Sequence, residues 1–595
     1  MIFLMFAWVV LGGCSFLIGN AILTLLKPDN AFVRHYDRFF VSVWLGIAII
    51  APILLALSIL TPLKPIVAAA VFGGALGLSL LHRASWNYVQ ESFSEVTATA
   101  IVGTMFTALG VAAYASRIIT WYDSGLYHEQ VIKWLAEFGS VPGLALIHER
   151  FGFSSSWFAL SAPFDHGLLS GRIYSVTGGF VLFMMLHSFA VNFTRIVGKY
   201  AEEEDVFLEL SFLIAIPVIL FWGMAVSPSP DMPVTVLTIV IAWIMLKIQR
   251  NSSNNACSID GCMNIRLLPF ILSLFAVTIK LSAFPLVVFS GYFYLFSGKF
   301  FSRKSAMTAC TGFFFLIPYM AVNAITSGYL LFPSSLLRID LPWTMEIESV
   351  KNLEKVVQAW SRWGGRPTPT WGNDFNWIMP WLGAEKMCAL LVLLSTVSAA
   401  IIIFSPARLR LANKYVIAIA STGIAFMMYK APTWRFGLGY LVILPSLLAM
   451  SQMANLTNLM EPMRKWVNQA TLGLLIALLL VVHLLYIPLP HYKLVVKSIQ
   501  EGRLETDDNP YVNWLLPPMA VNMYFKMPDS EQQTITCERL YYISENTDGL
   551  TYYRGKDEEQ CWDSPLPCAP GVLKRVQLRK PEMGLVGGFI RESRL

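Results

Sequence analysis

Apolar blocks of membrane-span length alternate with polar segments along most of this chain. A helix needs about 20 apolar residues to cross the hydrocarbon core of a bilayer. The pattern therefore predicts an all-α polytopic membrane protein with about 14 transmembrane helices. The blocks lie near residues 2–26, 39–61, 63–82, 98–117, 173–194, 206–224, 232–248, 266–280, 283–297, 306–326, 387–404, 416–429, 436–450 and 468–488.

The blocks on either side of Lys280 are short. They predict either two half-length helices that meet at a break or one helix followed by a re-entrant segment. The first block of the chain has no basic region before it and no small-residue cleavage site, so we expect a retained span rather than a signal peptide.

Composition agrees with a membrane protein. The 595 residues are 55% hydrophobic and 14% charged, whereas soluble proteins average about 25% charged residues. The net charge of +6 does not indicate nucleic-acid binding, because the basic residues cluster in short loops instead of forming a stripe on a soluble domain.

Those basic loops predict the orientation. They fall on one side of the alternating spans, and the positive-inside rule makes that side the cytoplasm. The basic residues are Lys27, Arg34, Arg38, Lys199, Lys247, Arg250, Lys299, Arg303, Lys304, Arg408, Arg410, Lys414, Arg464 and Lys465. The long polar segments then become extracytoplasmic, and they comprise 118–172, 225–231, 327–386, 430–435 and 489–595.

The first extracytoplasmic loop carries ionisable residues close to the end of a span, where such residues are more often functional than incidental. Asp123 is a candidate general base, and the alternative is that it caps the helix that follows. Tyr127, His128 and Glu129 are candidates to orient a substrate. Apolar residues at three- and four-residue steps over 127–138 predict a short amphipathic helix lying on the membrane.

Further candidates lie on the same predicted side. Asp231 stands in a Pro-rich turn between two spans, and Lys280 stands between the two short blocks. Lys430 and Arg435 break the positive-inside trend in a very short loop, which a phosphate group would explain. Additional substrate-orienting candidates are Arg150, Trp157, Arg362 and Arg366, and the Trp-rich run 360–377 offers aromatic faces for stacking.

Four stretches resemble the GT-C glycosyltransferases, which are multi-span enzymes that use lipid-phosphate-linked sugars at the outer face of a membrane. Asp123-Ser-Gly-Leu-Tyr127 is similar to the opening of the first external loop of that superfamily, and Ile279-Lys-Leu-Ser-Ala-Phe-Pro285 is similar to its lysine between short spans. Ser327-Gly-Tyr-Leu-Leu-Phe-Pro333 and Pro432-Thr-Trp-Arg-Phe-Gly437 resemble a later loop and an arginine before a late span.

The resemblance also has departures. Ser124 follows Asp123 where many GT-C enzymes have a second acidic residue, so a metal-bound pair of carboxylates is not expected from the motif. About three spans precede the family-like core as an addition. The loop 143–157 and the Cys561-to-Cys568 stretch resemble a bacterial multi-span family without an assigned substrate.

The resemblance implies an inverting glycosyltransferase that moves a sugar from a polyprenyl-phosphate-linked donor to a glycan or lipid acceptor at the periplasmic face of a bacterial inner membrane. Asp123 would be the base, and Lys280, Lys430 and Arg435 would bind the donor phosphate. Membrane lipids are expected partners and nucleic acids are not. No cofactor is assigned, and a divalent metal stays open. The alternatives are an enzyme like the O-antigen polymerases or ligases, and a transporter.

The expected organisation has four parts. Residues 1–97 form additional N-terminal helices, 98–450 form the GT-C-like core, 451–488 form the last span, and 489–595 form a small extracytoplasmic C-terminal domain. Turn-forming residues between Cys561 and Cys568 favour a disulfide in that domain, with Cys537 as the competing partner.

Overall fold

Long apolar helices build most of the computed structural model, and short strands appear in the C-terminal tail. The structure describes residues 1–27, 31–172, 174–254, 263–296, 301–363, 375–404, 414–456, 490–504, 515, 523–526, 536–547, 549–555, 560–573 and 575–591. The predicted span 468–488, Arg366 and most of the run 360–377 lie outside these residues.

Ten α-helices lie in the described part of residues 1–254. They are α1 Ile2–Leu25, α2 His35–Leu57, α3 Pro65–Leu80, α4 Arg83–Ser94, α5 Ala98–Ala115, α6 Glu129–Glu137, α7 Ser156–Ser161, α8 Ser175–Gly198, α9 Glu203–Phe221 and α10 Asp231–Asn254.

The remaining helices include the two short ones on either side of Lys280. They are α11 Leu267–Ile279, α12 Phe284–Leu295, α13 Phe301–Ser327, α14 Ile347–Arg362, α15 Ile378–Ala384, α16 Lys386–Phe404, α17 Lys414–Lys430, α18 Trp434–Leu456 and α19 Pro490–Gln500.

Eight helices within the described ranges are long and apolar enough to cross a membrane, or nine if the bent pair α3–α4 is one broken span. The expected count of about 14 is therefore not supported. The helices α11, α12 and α17 have only 13, 12 and 17 residues. Helix α9 is long enough but begins with three consecutive acidic residues. The two half-length helices that the sequence offered around Lys280 are confirmed as α11 and α12.

Close backbone contact joins α1 to α2. A Cβ atom at Gly19 would lie 1.8 Å from the carbonyl oxygen of Ser42, and one at Gly46 would lie 2.0 Å from that of Ser15. Small residues let membrane helices approach in this way, since helix association in lipid depends on packing rather than on the hydrophobic effect. Helix α10 is buried along its whole apolar window, so it lies at the centre of the bundle.

A buried charged cluster ties helix ends together at the end of α10 away from Asp231. Arg195 donates to Asp37 at 2.7 Å, Lys247 pairs with Asp37 and lies 3.8 Å from Asp205, and Arg34 pairs with Asp205. Lys247 lies 16 positions after Asp231 on the same helix, which corresponds to about 24 Å. The basic ends of several helices thus lie at the same end of the bundle. The assignment of this end to the cytoplasm stays a prediction.

The C-terminal tail contains three antiparallel strand pairs, which agrees with a small domain that contains strands. The strands are β1 Met523–Lys526, β2 Thr536–Arg539, β3 Tyr542–Thr547, β4 Leu550–Gly555, β5 Val576–Leu578 and β6 Phe589–Arg591. A disulfide joins Cys561 to Cys568, so the predicted pairing is confirmed against the alternative with Cys537.

Candidate functional site

A single π-helical turn, Ser124–His128, follows Asp123 and leads directly into α6. The Asp123 side chain makes no capping hydrogen bond to this turn, so the helix-cap alternative is not supported. Helix α6 is amphipathic as predicted, but its residues are mostly buried between the membrane bundle and the tail. The expectation that it lies on the membrane surface is therefore wrong, because the C-terminal tail covers its polar side.

Two carboxylates and three cations meet beside this turn. Asp123 pairs with Arg435, and its other oxygen lies 3.6 Å from Arg150. Arg435 also reaches Asp231 through Nε at 3.3 Å, and Lys280 pairs with Asp231. Five residues that are far apart in the chain therefore form one chain of ion pairs with an excess of positive charge.

Three residues of the network lie where a helix begins or is interrupted. Lys280 occupies the extended residue between α11 and α12, where the backbone has φ −157° and ψ 131°. Asp231 begins α10 after a Pro-rich turn, and Arg435 is the second residue of α18. The Ser227 hydroxyl links the two acidic segments, because it bonds the Ser124 hydroxyl at 2.7 Å and accepts from the amide of Ser229 at 3.1 Å.

Aromatic rings enclose the cations of the network. The Arg435 guanidinium lies 5.4 Å from the ring centres of both Trp121 and Trp360, and 4.9 Å from that of Phe436. The Lys280 ammonium lies 3.7 Å from the Phe436 ring. Cation–π contacts favour a desolvated cation and leave its hydrogen-bond donors available to anionic groups.

Burial and nearby charges shift the pKa values of three ionisable residues at this turn. Burial opposes ionisation of Asp123, yet Arg435 and then Arg150 hold the pKa of its carboxyl below the usual range. Burial lowers the pKa of His128 to about 3, so this imidazole is neutral near pH 7. Burial raises the pKa of Glu129, and the nearby carboxylates Asp563 and Asp165 raise it further. Asp123 is thus an anion that precedes a neutral histidine, and the proton affinity of Glu129 is increased.

A cavity of about 1680 Å³ opens beside the network. Its lining includes Asp123, Arg150, Lys280 and Arg435. Small-molecule sites are commonly about 300–1,000 Å³, so the volume suits a large ligand or two ligands together. Helix α14 forms another wall and brings more cations than anions to the cavity, since Lys351, Lys355 and Arg362 line it together with Glu354.

The structure brings most of the predicted site residues to this cavity. Tyr127 and Lys430 line it, and so does Arg362, whose guanidinium donates to the Tyr429 carbonyl at 3.4 Å. The Lys430 ammonium lies 5.8 Å from the Tyr429 ring. Of the Trp-rich run, Trp360 and Trp377 line the cavity.

Four predicted residues do not line this cavity. One of them, Asp231, lies behind it and contacts the lining residues Lys280 and Arg435. His128 is buried next to Tyr127 and Phe158, and the described residues offer its ring nitrogens no hydrogen-bond partner. Glu129 is buried toward Asp563 and Asp165, on the opposite side of the turn from the cavity. Trp157 is fully buried in α7. Arg366 lies outside the described residues.

No three His, Cys, Asp or Glu side chains are grouped as metal ligands in the described part of the chain. Asp123 and Asp231 are the two nearby carboxylates, but Arg435 contacts both of them. A guanidinium between two carboxylates occupies the place where a cation would bind, so this donor set does not fit a shared divalent metal.

Sequence reasoning missed the role of the tail at this site. The loop that the disulfide closes contacts the Asp123 turn, because the amides of Cys561 and Trp562 both donate to the Gly125 carbonyl, at 2.8 and 2.9 Å. The cysteine spacing indicated a local disulfide, but no pattern in the sequence connects it to residue 125. Ser227 was also missed, and the Pro-rich turn around it was the available signal.

Comparison with known proteins gives a family without an assigned activity. No curated protein and no solved structure matches this chain. Residues 1–442 match the domain of unknown function DUF8201, a region that includes all five members of the ion network. Since the match covers well over half of the sequence, the chain belongs to the DUF8201 family.

Proposed function

We propose that this protein is a membrane glycosyltransferase of the GT-C type. It would move a sugar from a polyprenyl-phosphate-linked donor to a glycan or lipid acceptor at the periplasmic face of a bacterial inner membrane. The observation that carries the proposal is that Asp123, Arg150, Lys280 and Arg435 line one large cavity, where Lys280 and Arg435 are also held by Asp231.

The groups present match the needs of an inverting transfer. A base accepts the proton of the acceptor hydroxyl while the hydroxyl oxygen bonds to the anomeric carbon of the donor sugar. At the same time, the bond between that carbon and the phosphate oxygen breaks. Asp123 is ionised and lines the cavity, so its carboxylate can take the proton. The phosphate leaves with the electron pair of the broken bond, and nearby cations stabilise its charge.

Lys280 and Arg435 are the cations placed for that task. They are paired with Asp231 and Asp123, so a donor phosphate would compete with carboxylates for them. Arg150 has the longest ion-pair contact of the three cations, 3.6 Å to Asp123, and its side chain keeps 25% exposure. When a phosphate draws Arg435 away from Asp123, the carboxylate becomes a stronger base, because a neighbouring cation weakens its proton affinity.

The cavity walls suit a sugar and a lipid. Trp360 and Trp377 offer faces for a sugar ring, and the same cavity has apolar walls from Phe332, Phe375 and Phe426. Phe375 is 79% exposed, at the side of the cavity formed by α15.

The test is a pair of carboxylate substitutions in the full chain. Asp123→Asn should reduce transfer of a radiolabelled sugar from a polyprenyl-phosphate donor by about 10²-fold or more. Asp340→Asn is the matched control, because Asp340 lies in an external loop and is 90% exposed. Wild-type transfer by Asp123→Asn, in protein that inserts normally, would refute the assignment.

A second candidate is a polymerase- or ligase-like enzyme that acts on lipid-pyrophosphate glycans and depends on arginines. The presence of Arg150, Arg362 and Arg435 in the lining of one cavity favours it. An alanine scan separates the two functions. The glycosyltransferase requires Asp123 above all, whereas the alternative requires Arg362 and Arg435 and tolerates Asp123→Asn.

A further inference from the structure

The C-terminal tail reaches back to the candidate site from more than 400 residues away. Its contact segment is the loop 560–564, which we define as the clamp. Gln560 donates through Nε2 to the Tyr122 carbonyl at 3.0 Å, one residue before Asp123. The amides of Cys561 and Trp562 donate to the Gly125 carbonyl, two residues after it. The clamp therefore satisfies backbone acceptors on both sides of Asp123.

Packing at Gly125 also holds the clamp close to the Asp123 turn. A Cβ atom at that position would lie 2.1 Å from the Trp562 indole, which is fully buried. The indole nitrogen donates to Gln560 Oε1 at 3.1 Å, so the two clamp side chains hold each other. Only glycine permits this approach, because any side chain at 125 would push the turn away from the tail.

Contacts with α6 and with the 165–174 segment extend the attachment. Gln130 donates to the Trp562 carbonyl at 2.8 Å, and Lys133 pairs with Asp563 at 3.2 Å. On the other side the Tyr174 hydroxyl bonds the Asp563 carboxylate at 3.0 Å. One loop of the tail thus connects the Asp123 turn, the following helix and the segment before α8.

The disulfide holds the clamp in shape. Cys561 and Cys568 are both fully buried, and the Tyr542 hydroxyl donates to the Cys561 carbonyl at 2.8 Å. Backbone bonds between Tyr553 and the segment at Pro567 and Ala569 attach the far end of the loop to the β3–β4 hairpin at 2.9 Å. Without the covalent link, the loop would have to be ordered by these contacts alone.

We infer that the clamp, closed by the Cys561–Cys568 disulfide, is a positioning element that sets the Asp123 carboxylate against Arg435 and Arg150. The inference rests on the proposed catalytic role of Asp123. Clamp residues do not line the cavity, whereas Pro570 of the tail does. The clamp acts on the reaction through the backbone of residues 122–125, and its loss should reduce turnover while the phosphate-binding cations stay in place.

The experiment compares three variants of the full chain in lipid nanodiscs. The first carries Cys561→Ser together with Cys568→Ser, the second carries Gln560→Ala, and the third is the control Cys310→Ser, an exposed free cysteine on α13. Sugar transfer from a polyprenyl-phosphate donor gives kcat and KM, and hydrogen–deuterium exchange reports the backbone of residues 121–134.

Both clamp variants should lower kcat by about 10- to 100-fold, since a displacement of about 1 Å at a catalytic group costs this much. The KM for the donor should change by less than about threefold, because its phosphate binds the cations rather than the clamp. Amide exchange should accelerate over 121–134 in the clamp variants and stay at the wild-type rate in Cys310→Ser. If the double serine variant does not fold, Gln560→Ala decides the question.

Each remaining outcome is informative. Wild-type kcat and wild-type exchange in both clamp variants would overturn the inference and leave the proposed function intact. Faster exchange throughout the chain, with kcat and KM impaired together, would also overturn it, because the clamp would then be a general structural support. If the wild type transfers no sugar but exchange accelerates only over 121–134, the proposed function fails while the attachment of this turn by the clamp stands.

Discussion

Replacement of Arg435 by glutamine should reverse the sign of the contribution of Asp123 to the pH dependence of the unfolding free energy. In the wild type, Arg435 and Arg150 depress the pKa of the buried Asp123 carboxyl. A depressed pKa contributes stability at neutral pH that is lost as the pH falls through the folded-state pKa. Without Arg435, burial raises the pKa of Asp123, and Arg150 at 3.6 Å offsets only part of that effect.

The magnitude follows from proton linkage. Over pH 5–7 an unfolded aspartate is ionised, whereas the buried Asp123 of Arg435→Gln should retain a proton in the folded state. The free energy of unfolding then falls by about 1.4 kcal/mol for each pH unit, or almost 3 kcal/mol across this range. Protonation of Asp123 also limits the loss of stability in this variant, because a buried unpaired charge would otherwise cost about 3–5 kcal/mol.

The assay is denaturant or thermal unfolding of the purified full chain at pH 5, 6 and 7. Arg435→Gln should be closest to the wild type at pH 5 and furthest from it at pH 7. The control combines Arg435→Gln with Asp123→Asn, which removes the titrating group and should restore a pH profile parallel to that of the wild type. If the single variant also runs parallel to the wild type, then Arg435 does not control the charge of Asp123.

Three further substitutions test packing and binding. Gly46→Ala should destabilise the α1–α2 pair by about 1–3 kcal/mol through overpacking, whereas Gly74→Ala, with open space around it, should not reduce the melting temperature. Gly125→Ala should lower the melting temperature and accelerate amide exchange over 121–134, because its Cβ meets the Trp562 indole; unchanged exchange would contradict that contact. Lys280→Gln should weaken binding of a polyprenyl phosphate about tenfold in a fluorescence titration, through loss of a charge-assisted bond; an unchanged Kd would exclude Lys280 from the phosphate site.

The sequence by itself determined the membrane class and most of the chemistry of the site. Long apolar blocks have few alternatives to spanning helices, because an unpaired backbone in lipid is too costly. Charged residues next to such blocks are equally conspicuous, and Asp123, Asp231, Lys280 and Arg435 do form one network. Local turn residues between Cys561 and Cys568 were enough to indicate their disulfide.

Only the tertiary structure decided how those residues are arranged. Span counting from hydropathy gave more spans than the eight or nine helices of sufficient length in the described ranges, since short helices such as α11 and α12 are apolar as well. Glu129 and Arg150 were equal candidates in the sequence, but the direction of the turn sends Glu129 toward the tail, whereas Arg150 lies on the cavity side. The attachment of Gly125 to Trp562 joins positions separated by more than 400 residues, and such a contact depends on the packing of whole elements, which local periodicity does not encode.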